Sequence, residues 1–479
     1  MNRAPASSVC HAFLLRWRDV EEMSMQRVVK WLVRLGIGLV LLLGVAIGLL
    51  VAFPPELLRV GTGYAAKIIC SNVFIAGRDA DEVLRDDVQA PGHPLLRLVR
   101  AEVDLDRGLV HTSLLGRIAP SVAVHRSGLG CTPVDEDGID VANRLSAPVP
   151  EADTASSDQP WPEGQAVPAA DPRLQEILAD PEMIGPAARG VVVVKDGRIV
   201  GETYGPGFNE NTPLLGWSMT KTVTAALVGI LASEDRLDLD ADQLFAGWSG
   251  DARKEIKLSN LLAMESGLSF NESYGDVTDV TRMLYLERDM AAYVASLPTE
   301  AAPGTRFNYS SGETVLISQY WMSRFSDRSA ALAFPREGLF DVIGMTSAVL
   351  EADPTGTFVG GSYLYATARD WARFGLLIAQ GGRWGDRQVL PPEFIERMKR
   401  PTAASGGDYT EAQAWQNGPG GEDSEYGLPE EAVWMLGHDG QSVAIIPSEG
   451  LVVVRLGLTP RNLDFRPQRL VQAVRDALR

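Results

Sequence analysis

Ser218 and Lys221 stand three residues apart in GWSMTKTVTAALVGILASEDRLDLD, the stretch from Gly216 to Asp240. The pattern predicts a helix with the serine in its first turn. Residues i and i+3 share a helix face, so the ammonium reaches the hydroxyl. A lysine in an apolar surround is pushed towards neutrality by desolvation. It then takes the serine's proton, or keeps a second base ionised. A serine at a helix N-terminus also sets a developing oxyanion beside backbone N–H groups that lack helical partners. The chain has seven lysines, and Lys221 alone has a serine three residues before it. By itself the pair is weak, because chance would supply one such match roughly a third of the time.

Other nucleophilic systems are scarce. No cysteine follows Cys131, and His438 is the single histidine after residue 172. Gly216-Trp217-Ser218-Met219-Thr220 lacks the last glycine of a GxSxG elbow. No HExxH or CxxC spacing occurs, so neither a metal nor another cofactor is implied. A nucleophile here needs lysine or tyrosine as its base. APGTRFNYSSGETVLIS places Tyr309 and Ser311 in a turn-like stretch before an apolar run, and LGHDGQS places His438, Gly440 and Gln441 at the start of a β-run.

Ser-x-x-Lys, then Tyr-x-Ser about ninety residues on, then His-x-Gly on a late strand, resembles the three-motif order of the serine β-lactamase and penicillin-binding-protein superfamily. The phrases between the motifs, IKLSNLLAMESGL, PGTRFNYSS, YATARDWARFGLLI and GGRWGDRQVLPPEFIERM, are similar to its class C branch, and within it to 6-aminohexanoate-dimer hydrolases and related esterases. The likeness covers roughly 185–478. It implies Ser218 as the acylated nucleophile, with Lys221 and Tyr309 as its proton-transfer partners. It implies an oxyanion hole from the backbone N–H groups of Ser218 and Gln441, with Gly440 letting the strand approach substrate. Ser311 stands where the lactamases have Asn, and His438 where they have Lys or Arg. Both departures point away from carboxylate-bearing β-lactams and towards other amides or esters. His438 is expected to line the site. Tyr274, in SGLSFNESYGD, falls where relatives carry a loop bordering the pocket, and Trp217 reads as packing.

The elements that must position these residues are legible around them. GVVVVKDGRIVGETYG gives two β-runs joined by Asp196-Gly197, a hairpin signal. AVWMLGHDGQSVAIIPSEGLVVVRLGL gives three more, with a turn at Pro447–Gly450, and a helix comes after Pro467. Paired, the two groups build one antiparallel sheet of about five strands with helices packed around it. The resemblance implies the same α/β (α+β), β-lactamase-like fold: helices on both faces, an inserted helical domain, and the active site between them. This domain is expected over 173–479.

Upstream, 144–172 is rich in Pro, Ala and acidic residues and predicts an extended linker. Residues 57–143 hold short β-like runs, either a small membrane-proximal domain or an extension packed on the downstream region. Leu35–Phe53 carries no charge over 19 residues, enough for a transmembrane helix. Arg27, Lys30 and Arg34 precede it, which predicts residues 1–34 in the cytoplasm and the rest outside, on a bacterial inner membrane. Phe53-Pro54-Pro55 offers no small-x-small cleavage site, so an uncleaved anchor is expected over a signal peptide. The residues before Met25 read as unstructured, and Met23 or Met25 are candidate starts. Cys70 and Cys131 would meet an oxidising compartment and form one disulfide, while Cys10 would not. A net charge of −18 argues against nucleic acid or anionic lipid headgroups as partners. The expectation is a membrane-anchored serine hydrolase cleaving small amides or esters. A DD-peptidase or β-lactamase is the alternative, and a non-catalytic envelope binding protein is the alternative of another class.

Overall fold

The computed structural model describes residues 8–90, 92–149, 158–169 and 171–479. The start of the expected cytoplasmic segment, residues 150–157 and 170 of the expected linker, and the side chains of Cys10 and Met23 lie outside what is described. Helix α1 runs Ser8–Ala52. The stretch before Met25, expected to be unstructured, is therefore helical from Ser8. No Gly or Pro interrupts residues 8–35, so nothing local stops the helix before the apolar run. Pro54 and Pro55 end it, because proline offers no N–H and disfavours helix in the residue before it. Within α1, Arg27–Ala52 has a mean hydropathy of 2.8 over its most apolar window and is long enough to cross a membrane or to serve as a signal sequence.

The chain divides into two units, α1 belonging to the first and residues 56–116 and 120–479 forming the second. The second opens with helix α2 (Glu56–Phe74), followed by an antiparallel sheet in the order β1 (Val99–Asp104), β2 (Leu109–Leu114), β3 (Ile118–Arg126), β4 (Gly130–Val134). Cys70 of α2 is bonded to Cys131 of β4, with Cα atoms 6.0 Å apart. Residues 56–116 thus share a unit with the region expected to be catalytic. Part of the expected linker is also docked: Trp161 is 1% exposed, and its carbonyl accepts Arg198 Nη1 at 2.6 Å.

A second sheet forms the centre. β5 (Ala188–Lys195) and β6 (Arg198–Tyr204) meet in a hairpin whose turn residues, Asp196 and Gly197, both have positive φ (50° and 82°), as a type I′ turn requires. β7 (Val433–Gly437), β8 (Gln441–Ile446) and β9 (Leu451–Gly457) complete it in the order β7-β8-β9-β5-β6, all antiparallel. Val191–Val194 are all fully buried. The run is continuous because both faces are covered. Val191, Val193 and Val453 pack with Leu470, Val471 and Val474 of the C-terminal helix Pro467–Leu478. The other face meets helix Ala368–Ala379, where a Cβ on Gly375 would lie 2.6 Å from Val452 Cγ1. Each buried valine contributes about 1.5–3 kcal/mol relative to exposure. The fold is the expected β-lactamase-like α/β arrangement, with a mainly helical stretch, 217–379, between the first two strands and the last three.

Candidate active site

Helix α3 (Thr220–Ser233) starts one residue after a 3-10 turn, Trp217–Met219, that carries Ser218. Trp217 holds φ at +48°, a left-handed conformation costly for a bulky residue, of order 1–3 kcal/mol. The turn is held from several sides. Gly216 N–H donates to Leu364 O at 2.9 Å, and Thr220 Oγ1 donates to Trp217 O at 2.6 Å while accepting from Leu364 N–H at 3.2 Å. A Cβ on Gly216 would lie 2.2 Å from the Trp371 ring, and one on Gly437 of β7 would lie 2.2 Å from Gly216 O. The end of β7 therefore runs directly against the Ser218 turn, and glycine is needed on both sides of that approach.

Lys221 is fully buried, and its Nζ donates to Ser218 Oγ at 2.9 Å, Ser311 Oγ at 2.9 Å and Gly361 O at 2.8 Å. All three ammonium protons have acceptors, which fixes the side chain. Burial pulls its pKa down to about 8, and the negative charge of Glu272 opposes the fall. Tyr309 lies in an extended stretch pinned by Asn308, whose N–H donates to Met264 O at 2.9 Å and whose Nδ2 donates to Phe270 O at 3.1 Å. Its ring centroid is 4.7 Å from Lys221 Nζ and packs on Trp415 (5.2 Å) and Tyr409 (5.7 Å). Burial, and then Glu272, push the phenol's pKa up, while hydrogen bonding with Ser218 works against them. Ser311, fully buried, opens the helix Ser311–Met322, whose N-terminus Ser310 Oγ caps by accepting Glu313 N–H. Ser218, Lys221, Tyr309 and Ser311 thus converge from two helix starts and one extended stretch.

The remaining residues divide. The His438 ring lies 5.6 Å from Trp217 and 4.7 Å from Tyr274, so these three form one aromatic wall beside Ser218. Trp217, read from sequence as packing, thus also faces His438. Gln441 begins β8, but its side chain is stitched to Gly457, accepting its N–H at 2.8 Å and donating to its carbonyl at 2.6 Å. Gly440 has φ +82°, and a Cβ there would meet Arg455 Nη1 at 3.0 Å and Thr459 Cβ at 3.1 Å. The glycine is required by the turn and by the buried Arg455.

Glu272 was not singled out from sequence. Its Oε2 accepts Ser311 N–H at 2.8 Å, its Oε1 accepts the Ser311 hydroxyl, and burial pushes its carboxyl pKa up. It sits in a polar loop with no periodicity, 39 residues from Ser311. No local pattern marks a loop glutamate as inward-facing. Trp415 and Tyr409 were missed for the same reason.

A family model described as Beta-lactamase matches residues 174–473. Among solved structures, the chain is similar to a Bacillus anthracis protein provisionally described as a 6-aminohexanoate-dimer hydrolase, at 23% identity and a TM-score of 0.51, over 69% of this chain and 86% of that one. It is similar to a Bacteroides dorei protein provisionally described as a β-lactamase, at 21% identity and a TM-score of 0.53, over 64% and 98%. A penicillin-binding-protein homologue from Caulobacter crescentus matches at 17% identity and a TM-score of 0.50, over 65% and 99%. Likeness at these identities is likeness of fold. No curated protein matches the sequence.

Proposed function

Because the chain belongs to the beta-lactamase family, whose members share a hydrolase fold, we propose that it is a serine hydrolase that cleaves small amides or esters through an acyl-enzyme, tethered to a membrane by α1. Ser218 Oγ attacks the substrate carbonyl. Its proton passes to Lys221, directly or relayed through the Tyr309 hydroxyl, and the same route returns a proton to the leaving amine or alcohol. The oxyanion is received by the backbone N–H groups of Ser218 and Gln441. Water then attacks the ester at Ser218, and the same groups move its proton.

The observation that carries this reading is Lys221. A fully buried amine 2.9 Å from a serine hydroxyl, with its pKa lowered to about 8, is a base poised near working pH. A structural lysine would instead be paired with a carboxylate, as Lys67 is with Glu351. Retaining all of Ser218, Lys221 and Tyr309 also has no purpose in a module that only binds.

The test is Ser218→Ala. The variant is expected to lose all labelling by a fluorophosphonate probe and all turnover of p-nitrophenyl acetate while keeping the wild-type melting temperature. Labelling that persists in the Ala variant overturns the assignment.

A further inference from the structure

One buried carboxylate outside the three residues assigned above is directed at the same lysine. Glu272 receives both donors that Ser311 can offer, its backbone N–H at 2.8 Å and its hydroxyl. Ser311 Oγ in turn accepts Lys221 Nζ at 2.9 Å. A serine hydroxyl has one proton. Here it is committed to Glu272, so the oxygen's lone pairs face the ammonium. The chain of donors runs from ammonium to hydroxyl to carboxylate, and charge at both ends strengthens each link.

We propose that Glu272, acting through Ser311, is a positioning residue that holds Lys221 against Ser218 and sets the pH at which Lys221 becomes a base. The proposal rests on the reading of Ser218 and Lys221 as nucleophile and base. The groups facing Lys221 are the Ser218 and Ser311 hydroxyls, the Gly361 carbonyl, the Tyr309 ring and the charge of Glu272. Those acting on Glu272 are Lys221, Ser311 and Tyr274. The nearby phenols of Tyr274, Tyr309 and Tyr409 all have their ionisation pushed up, with burial as the main cause, so they stay neutral where Lys221 titrates. Glu272 is then the anion that sustains the buried ammonium. Removing its charge lowers the lysine's pKa further, so the free base forms at lower pH. Replacing its carboxylate also leaves one Ser311 donor without an acceptor, and the hydroxyl loses its fixed direction.

The experiment measures kcat/KM for p-nitrophenyl acetate from about pH 6 to 10 on the full chain in detergent, for wild type, Glu272→Gln, Glu272→Asp, Ser311→Ala and Ser218→Ala. In Glu272→Gln the rising limb is expected to move down by about one pH unit and the plateau to fall about tenfold. Glu272→Asp keeps the charge on a shorter arm, so its limb stays in place while its plateau falls. A folded Gln variant with an unmoved limb overturns the proposal, as does an Asp limb displaced as far as the Gln limb. Should the Gln variant not fold, Ser311→Ala decides. It cuts the bridge and is expected to lose about tenfold of plateau rate, and an unchanged plateau overturns the proposal. Turnover surviving in Ser218→Ala would instead defeat the nucleophile assignment, whichever way Glu272 behaves.

Discussion

At the scale of single residues, the chemistry turns on the surroundings of one amine. Lys221 loses hydration on burial, which lowers its pKa to about 8. The active form is the free amine, so activity is low when the ammonium dominates and rises as pH passes through that value. We therefore predict that kcat/KM increases about tenfold per unit below roughly pH 8 and levels off above it. Lys221→Arg, which keeps the charge at every accessible pH, is expected to abolish turnover across the whole profile. A profile for wild type that is flat from about pH 6 to 9 contradicts the lysine as base. Substrate class is set by neighbours of the same site. His438 is exposed, and the Ser311 hydroxyl is already held by Lys221 and Glu272. Neither offers a fixed cation or a free amide to a β-lactam. Nitrocefin turnover is expected to be poor beside that of short-chain esters, and the reverse ranking would return the chain to the lactamases in activity.

At the scale of elements, α2 is bound into the second unit by an internal ionic cluster. Glu351 and Lys67 form an ion pair with both side chains fully buried. Glu351 also accepts the Ser71 hydroxyl at 2.8 Å and Cys131 N–H at 2.7 Å. Lys67 Nζ further donates to Ser71 Oγ and lies 3.7 Å from the Tyr363 ring. Lys67→Met leaves the carboxylate buried without its cation, which costs about 3–5 kcal/mol. We predict a loss of that size in denaturant unfolding, with much of it recovered in Lys67→Met/Glu351→Leu, where no charge remains. A double variant as unstable as the single one would mean that the loss comes from packing. This cluster also marks where sequence reading stops. The β5–β6 hairpin and the β8–β9 pair are legible because turn chemistry and short apolar runs are local signals. Ser218 and Lys221 could be paired because their spacing is local too, and Tyr309, about ninety residues on, could be selected only through the resemblance. Lys67, Glu351 and Glu272 are polar residues whose partners lie 284, 284 and 39 positions away. Nothing within a window around any of them distinguishes a buried partner from a solvated charge.

At the scale of the whole molecule, the uncharged Leu35–Phe53 run comes after Arg27, Lys30 and Arg34. The charge rule for membrane orientation predicts that everything after Phe53 lies outside the cytoplasm. Cys70 and Cys131 would then be oxidised as the bond seen between them requires. We predict that a membrane-impermeant alkylating reagent fails to label either cysteine in intact spheroplasts, and that both label after reduction and mild denaturation. A reporter fused after Arg479 should be active only if it functions outside the cytoplasm. Free reaction of Cys70 and Cys131 without reductant would break the first expectation, and a cytoplasmic reporter signal the second.

The order β7-β8-β9-β5-β6 has a consequence for how the chain is made. β5 is zipped to β6 on one side within a few residues, but its other edge pairs with β9, where Val192 meets Val454. A ribosome reaches Leu451 only after another 256 residues beyond Lys195, at roughly 5–20 residues per second. For some tens of seconds, then, a hairpin built on four consecutive valines presents an unpaired, apolar strand edge. Such an edge is a template for pairing with the wrong neighbour. A nascent chain truncated between β6 and β7 should aggregate or remain chaperone-bound, and should become soluble only once β9 has emerged.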